Sequence, residues 1–139
     1  MRRATVPASA VSVEFEVPFH DVDSLRVVWH GHYLKYLEIG RTALLRSLRL
    51  DAADLFPLGF YFLVAETHVR HQSPLRYADR LRVACWVEEW ENRVRVEYVI
   101  TNLTAQQVSA RASTTLVTMH ETRGLCLETP LPLAERLRG

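Results

Sequence analysis

Only one segment of this chain, from about Gly31 to Arg49, carries the hydrophobic period of a long helix, and nearly everything around it reads as strand. Lys35, Glu38, Thr42, Arg46 and Arg49 recur at spacings of three and four and make one polar stripe. Tyr33, Leu34, Leu37, Leu44, Leu45 and Leu48 fill the opposite side. Gly40 falls midway on the apolar side, where glycine is costly, so a close approach to a sheet is expected there. Before the helix, Val11, Val13, Phe15 and Val17 alternate with polar residues, and Pro18 ends the run. After it come a short turn capped by Asp51 and four strand candidates: Phe60 to His71, Leu81 to Glu88, Val94 to Ile100, and 107–120. The connections Glu89–Asn92 and Asn102–Gln106 are hairpin-sized, so the last three strands form an antiparallel meander. A lone helix must bury its apolar side on that sheet. The expected class is α+β, one long helix wrapped by a five-stranded antiparallel sheet. Such a sheet leaves an edge open, and open edges tend to be paired, so a homodimer or homotetramer is expected.

Size and charge narrow the function. The 139 residues fit a single domain, 1–139, with residues 1–9 as a flexible arm and a helical turn in the tail, Leu131 to Gly139. Apolar residues make up 48 %, too many for a disordered chain, and the net charge of +1 gives no reason to expect nucleic acid as a partner. Lys35 is the only lysine; arginine supplies the other positive charges. Met1-Arg2-Arg3 is basic but no compact apolar run follows, and no stretch approaches the length of a membrane span. Cys85 sits in an apolar run as a reduced thiol, and a cytoplasmic location is expected.

The chemistry is concentrated just before and within the helix start. Residues 20–32 hold His20, Asp21, Asp23, His30 and His32. All are possible metal ligands, and His30-x-His32 is a short chelating pair. A helix turns positions two apart onto different faces, however, and His68, His71 and His120 are scattered, so no metal and no cofactor is expected. A carboxylate near a helix N-terminus is kept ionised by the dipole, and the first N–H groups of the helix lack intrahelical partners. Spacing alone leaves Asp23 open between a loop cap and a reactive carboxylate.

Residues 19–46 resemble the hotdog-fold thioesterases of the 4-hydroxybenzoyl-CoA thioesterase-like family, most closely the acyl-CoA thioesterase branch found with the Tol–Pal system. The likeness is carried by Asp21-Val22-Asp23, Val27-Val28-Trp29-His30, Tyr33, and Tyr36-Leu37-Glu38 with Arg41. Ser73-Pro74-Leu75-Arg76-Tyr77-Ala78-Asp79 is similar to the turn before the family's third strand. One departure stands out: the family carries glycine two or three places after the second Asp, and Leu25 and Arg26 stand there in this chain.

The resemblance implies hydrolysis of acyl-CoA or acyl-carrier-protein thioesters to acid and thiol. Asp23 is then the nucleophile or general base, assisted by His30, and the backbone N–H groups of His30 or Gly31 polarise the carbonyl. Asp21 is expected to fix the turn, with His20 and His32 structural or surface groups. Trp29 and Arg26 are expected at the substrate, and Arg70, Arg76 and Arg93 near the phosphates of the CoA tail. The Leu25-Arg26 departure motivates the alternative, a non-hydrolytic acyl-thioester-binding hotdog module.

Overall fold

The computed structural model describes residues 5–138. Strand β1 (Val11–Glu16) leads through a 3-10 turn at Phe19–Asp21 into helix α1 (His32–Ser47). Helix α2 (Ala52–Leu55) follows, then the strands β2 (Phe60–His71), β3 (Arg80–Glu89), β4 (Val94–Asn102), β5 (Gln107–His120) and β6 (Gly124–Leu125), and finally helix α3 (Leu131–Leu137). The sheet runs β1-β3-β4-β5-β2, all antiparallel, with β1 and β2 at its edges. The five expected strands are present. The structure adds β6, which pairs with Met119 and His120 on β5, beyond the point at which β4 leaves that strand at Leu116. Of the arm expected over residues 1–9, residues 1–4 lie outside the described residues, as does Gly139 of the tail; Ala10 N donates to Pro7 O in a turn at the arm's end.

Helix α1 lies against β1 and β3. Tyr33, Tyr36, Leu37, Gly40 and Leu44 are its buried residues. Gly40 answers the close approach: a Cβ there would sit 2.6 Å from Val83 Cγ1 on β3. The expected apolar side is corrected at one place, because Leu34 is half exposed while Tyr36 is the residue turned inward. The reason is polar: Tyr36 carries a hydroxyl that must find a partner when buried, and it reaches Asp21. Alternation along β4 then completes the core, with Val94, Val96, Tyr98 and Ile100 buried beneath the helix layer with Leu81 and Val83 of β3. Asp51 caps α2 in a reciprocal capping box with Asp54.

On its other flank α1 faces β2 across a trough. One section, about 250 Å³, is walled by Leu34, Leu37, Arg41, Val64, Thr67 and Thr114. A second, about 260 Å³, continues past Leu45, Phe62 and Leu116. Strand β2 is an outer strand, kinked by a register shift between Val64 and Glu66, and Leu63 and Val64 are about half exposed. Among the described residues no helix is long and apolar enough to cross a membrane.

Candidate active site

The segment 18–31 is tied to the rest of the fold at several places. Val17 N donates to Asp79 O and Val28 N to Leu75 O, so the loop lies against the 73–79 turn. Val22 and Val28 bridge each other, and Trp29 N donates to Asp21 O. Between them Asp23 opens a tight turn: Arg26 N donates to Asp23 O, and Asp23 Oδ1 accepts from Leu25 N at 2.8 Å. Arg26 sits at φ 66°, the left-handed region. The place where the family likeness leads one to expect glycine is thus one where the backbone does favour glycine.

Asp21 is the anchor of this segment. It is buried, and its carboxylate accepts from Lys35 Nζ at 2.6 Å and from Tyr36 Oη at 2.7 Å, both on α1. His20 Nε2 and His32 Nε2 lie 3.7 Å and 3.8 Å from its Oδ1. Burial pushes the Asp21 carboxyl up, but the hydrogen bonds from Lys35 and Tyr36 outweigh it and hold it below the usual range. Burial and the same carboxylate push the Tyr36 hydroxyl up. Asp21 therefore does more than fix a local turn. It ties the loop to the first turns of the helix.

The helix begins at His32, with Gly31 as its cap. His32 N and Tyr33 N donate to Trp29 O and His30 O, whereas among the described residues His30 N and Gly31 N meet no protein acceptor. The Trp29 ring lies over Gly31, so that a Cβ there would come within 2.2 Å of it, and it packs against the rings of His30 and His32. Beside this helix end is a cleft of about 270 Å³ walled by Val27, Val28, His30, Tyr33, His71 and Pro74, with Gln72 and Ser73. Asp23 is tied to the wall residue Val27, whose O accepts from Asp23 N, but its side chain is not among the groups that wall the cleft and accepts from Leu25 N in its own turn. Two free donors at a helix start beside a partly apolar cleft can hold a carbonyl oxygen as it gains charge.

The other expected residues are spread more widely. Arg26 and Trp29 are exposed on the loop, next in the chain to the cleft-wall residues Val27 and His30, and neither lines the cleft itself. Arg70 ends β2 next to His71, and Arg76 lies in the 73–79 turn, where its backbone N donates to Asp79 Oδ2. Arg93 is not brought to this place: it lies in the β3–β4 turn, at the far end of both strands from the 73–79 turn. Ten residues of strand separate the two, about 30 Å. Glu38 is exposed on the rim of the trough, 3.8 Å from Arg41. Among the described residues no three His, Cys, Asp or Glu side chains converge as a metal site.

The sequence profile of the thioesterase-like superfamily matches residues 17–137. The chain belongs to that superfamily. Its relative YneP of Bacillus subtilis, named as a candidate acyl-CoA thioesterase, is 31 % identical over 77 residues, which cover 55 % of this chain and 56 % of YneP. The chain spans about half the length of the curated relatives it matches. Among solved structures, Slr0204 of Synechocystis, a 1,4-dihydroxy-2-naphthoyl-CoA thioesterase, superposes with a TM-score of 0.82 at 21 % identity, over 93 % of this chain and 96 % of that one. SAV2348 of Staphylococcus aureus, solved in complex with CoA, superposes with a TM-score of 0.85 at 12 % identity, over 99 % and 86 % of the two chains. These likenesses establish the hotdog fold. The place of this superfamily member within any one branch, the Tol–Pal-associated one included, is not distinguished by them.

The cleft also contains groups that the sequence alone does not single out for chemistry. Tyr33 Oη lies 2.9 Å from Ser109 Oγ, which donates to Ser73 O at 2.7 Å, so helix, β5 and the 73–79 turn are joined under the cleft floor. Burial pushes the Tyr33 hydroxyl up, so it stays a neutral donor. His71 faces it, drawn to the helix start only because β2 runs back along α1.

Proposed function

We propose that this protein hydrolyses acyl-CoA thioesters in the cleft at the start of α1. The observation that carries the reading is the pair of N–H groups, His30 and Gly31, left without protein acceptors at a helix start that adjoins a partly apolar cleft, in a chain of the thioesterase-like superfamily. The N–H pair would hold the thioester oxygen, and charge building there in the transition state strengthens both hydrogen bonds. Asp23 supplies the carboxylate, as nucleophile or as base toward water, and His30 assists. The trough between α1 and β2 begins at Leu34, one residue after Tyr33 of the cleft, and suits the acyl group. Arg26 and Arg76, exposed on the two segments that wall the cleft, are the proposed partners of the phosphates of a CoA tail, whereas Arg70 alternates with His71 along β2 and so faces away from it. The CoA bound in SAV2348 and the CoA thioesters of Slr0204 favour CoA over carrier protein as the carrier. We further propose a dimer built on the outer strand β2, a strand of 12 residues with one unpaired edge and the exposed side chains of Leu63 and Val64.

Thiol release from a panel of short, long and aromatic acyl-CoAs, read with a thiol-reactive dye, tests the activity. Asp23→Asn should lose at least about 10²-fold in kcat. A folded Asp23→Asn protein with full activity would remove Asp23 from the reaction. Tight binding of the same esters with no thiol released would instead favour the binding-module reading motivated by Arg26. Single turnover in heavy-oxygen water separates the two roles of Asp23, because label enters the Asp23 carboxylate only if it attacks the carbonyl.

A further inference from the structure

The cleft holds one base that the roles above leave idle. His71, the last residue of β2, shares the cleft with His30 and Tyr33. Its ring stands edge-on to the Tyr33 ring, with centroids 4.6 Å apart and planes at 86°. Tyr33 is itself pinned through Ser109 to the Ser73 carbonyl, so this support is rigid. Partial burial, and then the neighbouring His30, both disfavour a charged His71 and lower its pKa. His71 is thus a neutral imidazole at neutral pH, with a lone pair to offer.

A carboxylate that has attacked a thioester cannot also be the base for the next step, because acylation has neutralised it. A second base must then take the proton of water. We propose that His71 is that base, with Asp23 as the nucleophile. This rests on the thioesterase reading of the cleft. An Asp23 oxygen bonds to the acyl carbon, the C–S bond breaks, and its electron pair leaves on sulfur as the CoA thiolate. The product is an acyl-Asp23 anhydride. A water oxygen then bonds to the acyl carbon as one water proton moves to a His71 ring nitrogen. The bond between the acyl carbon and the Asp23 oxygen breaks, and its pair restores the carboxylate. His71 gives up its proton to the thiolate through solvent, so thioester and water have become acid and thiol.

Rapid mixing of His71→Gln with benzoyl-CoA and decanoyl-CoA tests the assignment. Thiol should appear in a fast burst of one equivalent per cleft, followed by turnover slower than wild type by about 10²–10⁴-fold. The stalled protein should carry the acyl mass on the peptide that contains Asp23. Added imidazole should speed the second phase of a His71→Gly variant. Turnover of His71→Gln within about threefold of wild type would overturn the assignment. So would slow thiol release without a burst in a protein that melts like the wild type, or a burst seen in His30→Gln instead. Wild type that releases no thiol from any acyl-CoA would overturn the thioesterase reading itself, whereas the other failures leave that reading standing.

Discussion

Replacing Asp21 by Asn isolates the tie between the loop and α1 with almost no change of shape. The buried carboxylate accepts from Lys35 Nζ at 2.6 Å and from Tyr36 Oη at 2.7 Å. An amide can accept only through its oxygen, and its NH₂ would face a donor. Each hydrogen bond to a charged group contributes about 1.5–3 kcal/mol, and a buried donor left unpaired costs about 1–3 kcal/mol. Lys35 is 45 % exposed and can turn to water, so its share belongs at the low end. The expected loss is about 2–4 kcal/mol, or roughly 10 °C in Tm for a domain of this size. Urea unfolding followed by tryptophan fluorescence, at one protein concentration, would measure it. The pH dependence has a definite sign. The folded Asp21 pKa lies below its unfolded value, so the stabilisation is complete above the unfolded pKa and is lost as pH falls through the folded one. The gap between wild type and Asp21→Asn should be flat above about pH 5 and close below about pH 4. A gap under about 1 kcal/mol at neutral pH, or one unchanged at pH 3, would refute the reasoning.

Other substitutions probe separate links. Arg26→Gly removes a side chain from a φ of 66°, where a non-glycine residue costs about 1–2 kcal/mol, and after the entropy of a new glycine it should raise stability by up to about 1 kcal/mol in thermal melts. Gly40→Ala drives a Cβ to 2.6 Å from Val83 and should lower the urea midpoint by an amount worth about 1–3 kcal/mol. Of the two free cysteines, Cys85 is buried with its thiol pushed up to about 12, so a thiol reagent should titrate Cys126 in the native state and reach Cys85 only on unfolding. Val64→Lys places a charge on the outer strand and should shift the protein toward monomer in sedimentation, if β2 is the dimer contact proposed above.

What can be read in the sequence follows the range of the forces involved. Strand alternation and the start of α1 are local patterns, and they place every long element within a few residues. Gly40 is legible for the same reason, since a glycine on the apolar side of a helix points to a neighbour too close for any side chain. Leu34 and Tyr36 are harder. Both lie near the edge of the apolar stripe, and a carboxylate fifteen residues upstream decides which turns inward. Asp21 reads as a turn residue because its partners lie on another element. His71 reads only as one of several scattered histidines, because it takes the return of β2 along α1 to bring it to the helix start. Arg93 shows the converse: residue type suggests phosphate, and strand direction carries it to the wrong end of the sheet.

The Trp29 ring over Gly31 has a consequence for how this chain can change. A Cβ at position 31 would meet the indole at 2.2 Å, so any residue other than glycine there must displace the ring. The two positions are coupled. Gly31→Ala should push the exposed indole aside and alter the wall of the helix start, and in a Gly31→Ala, Trp29→Ala double variant the two effects should not add, so a change at either position resets what the other can do for the cleft.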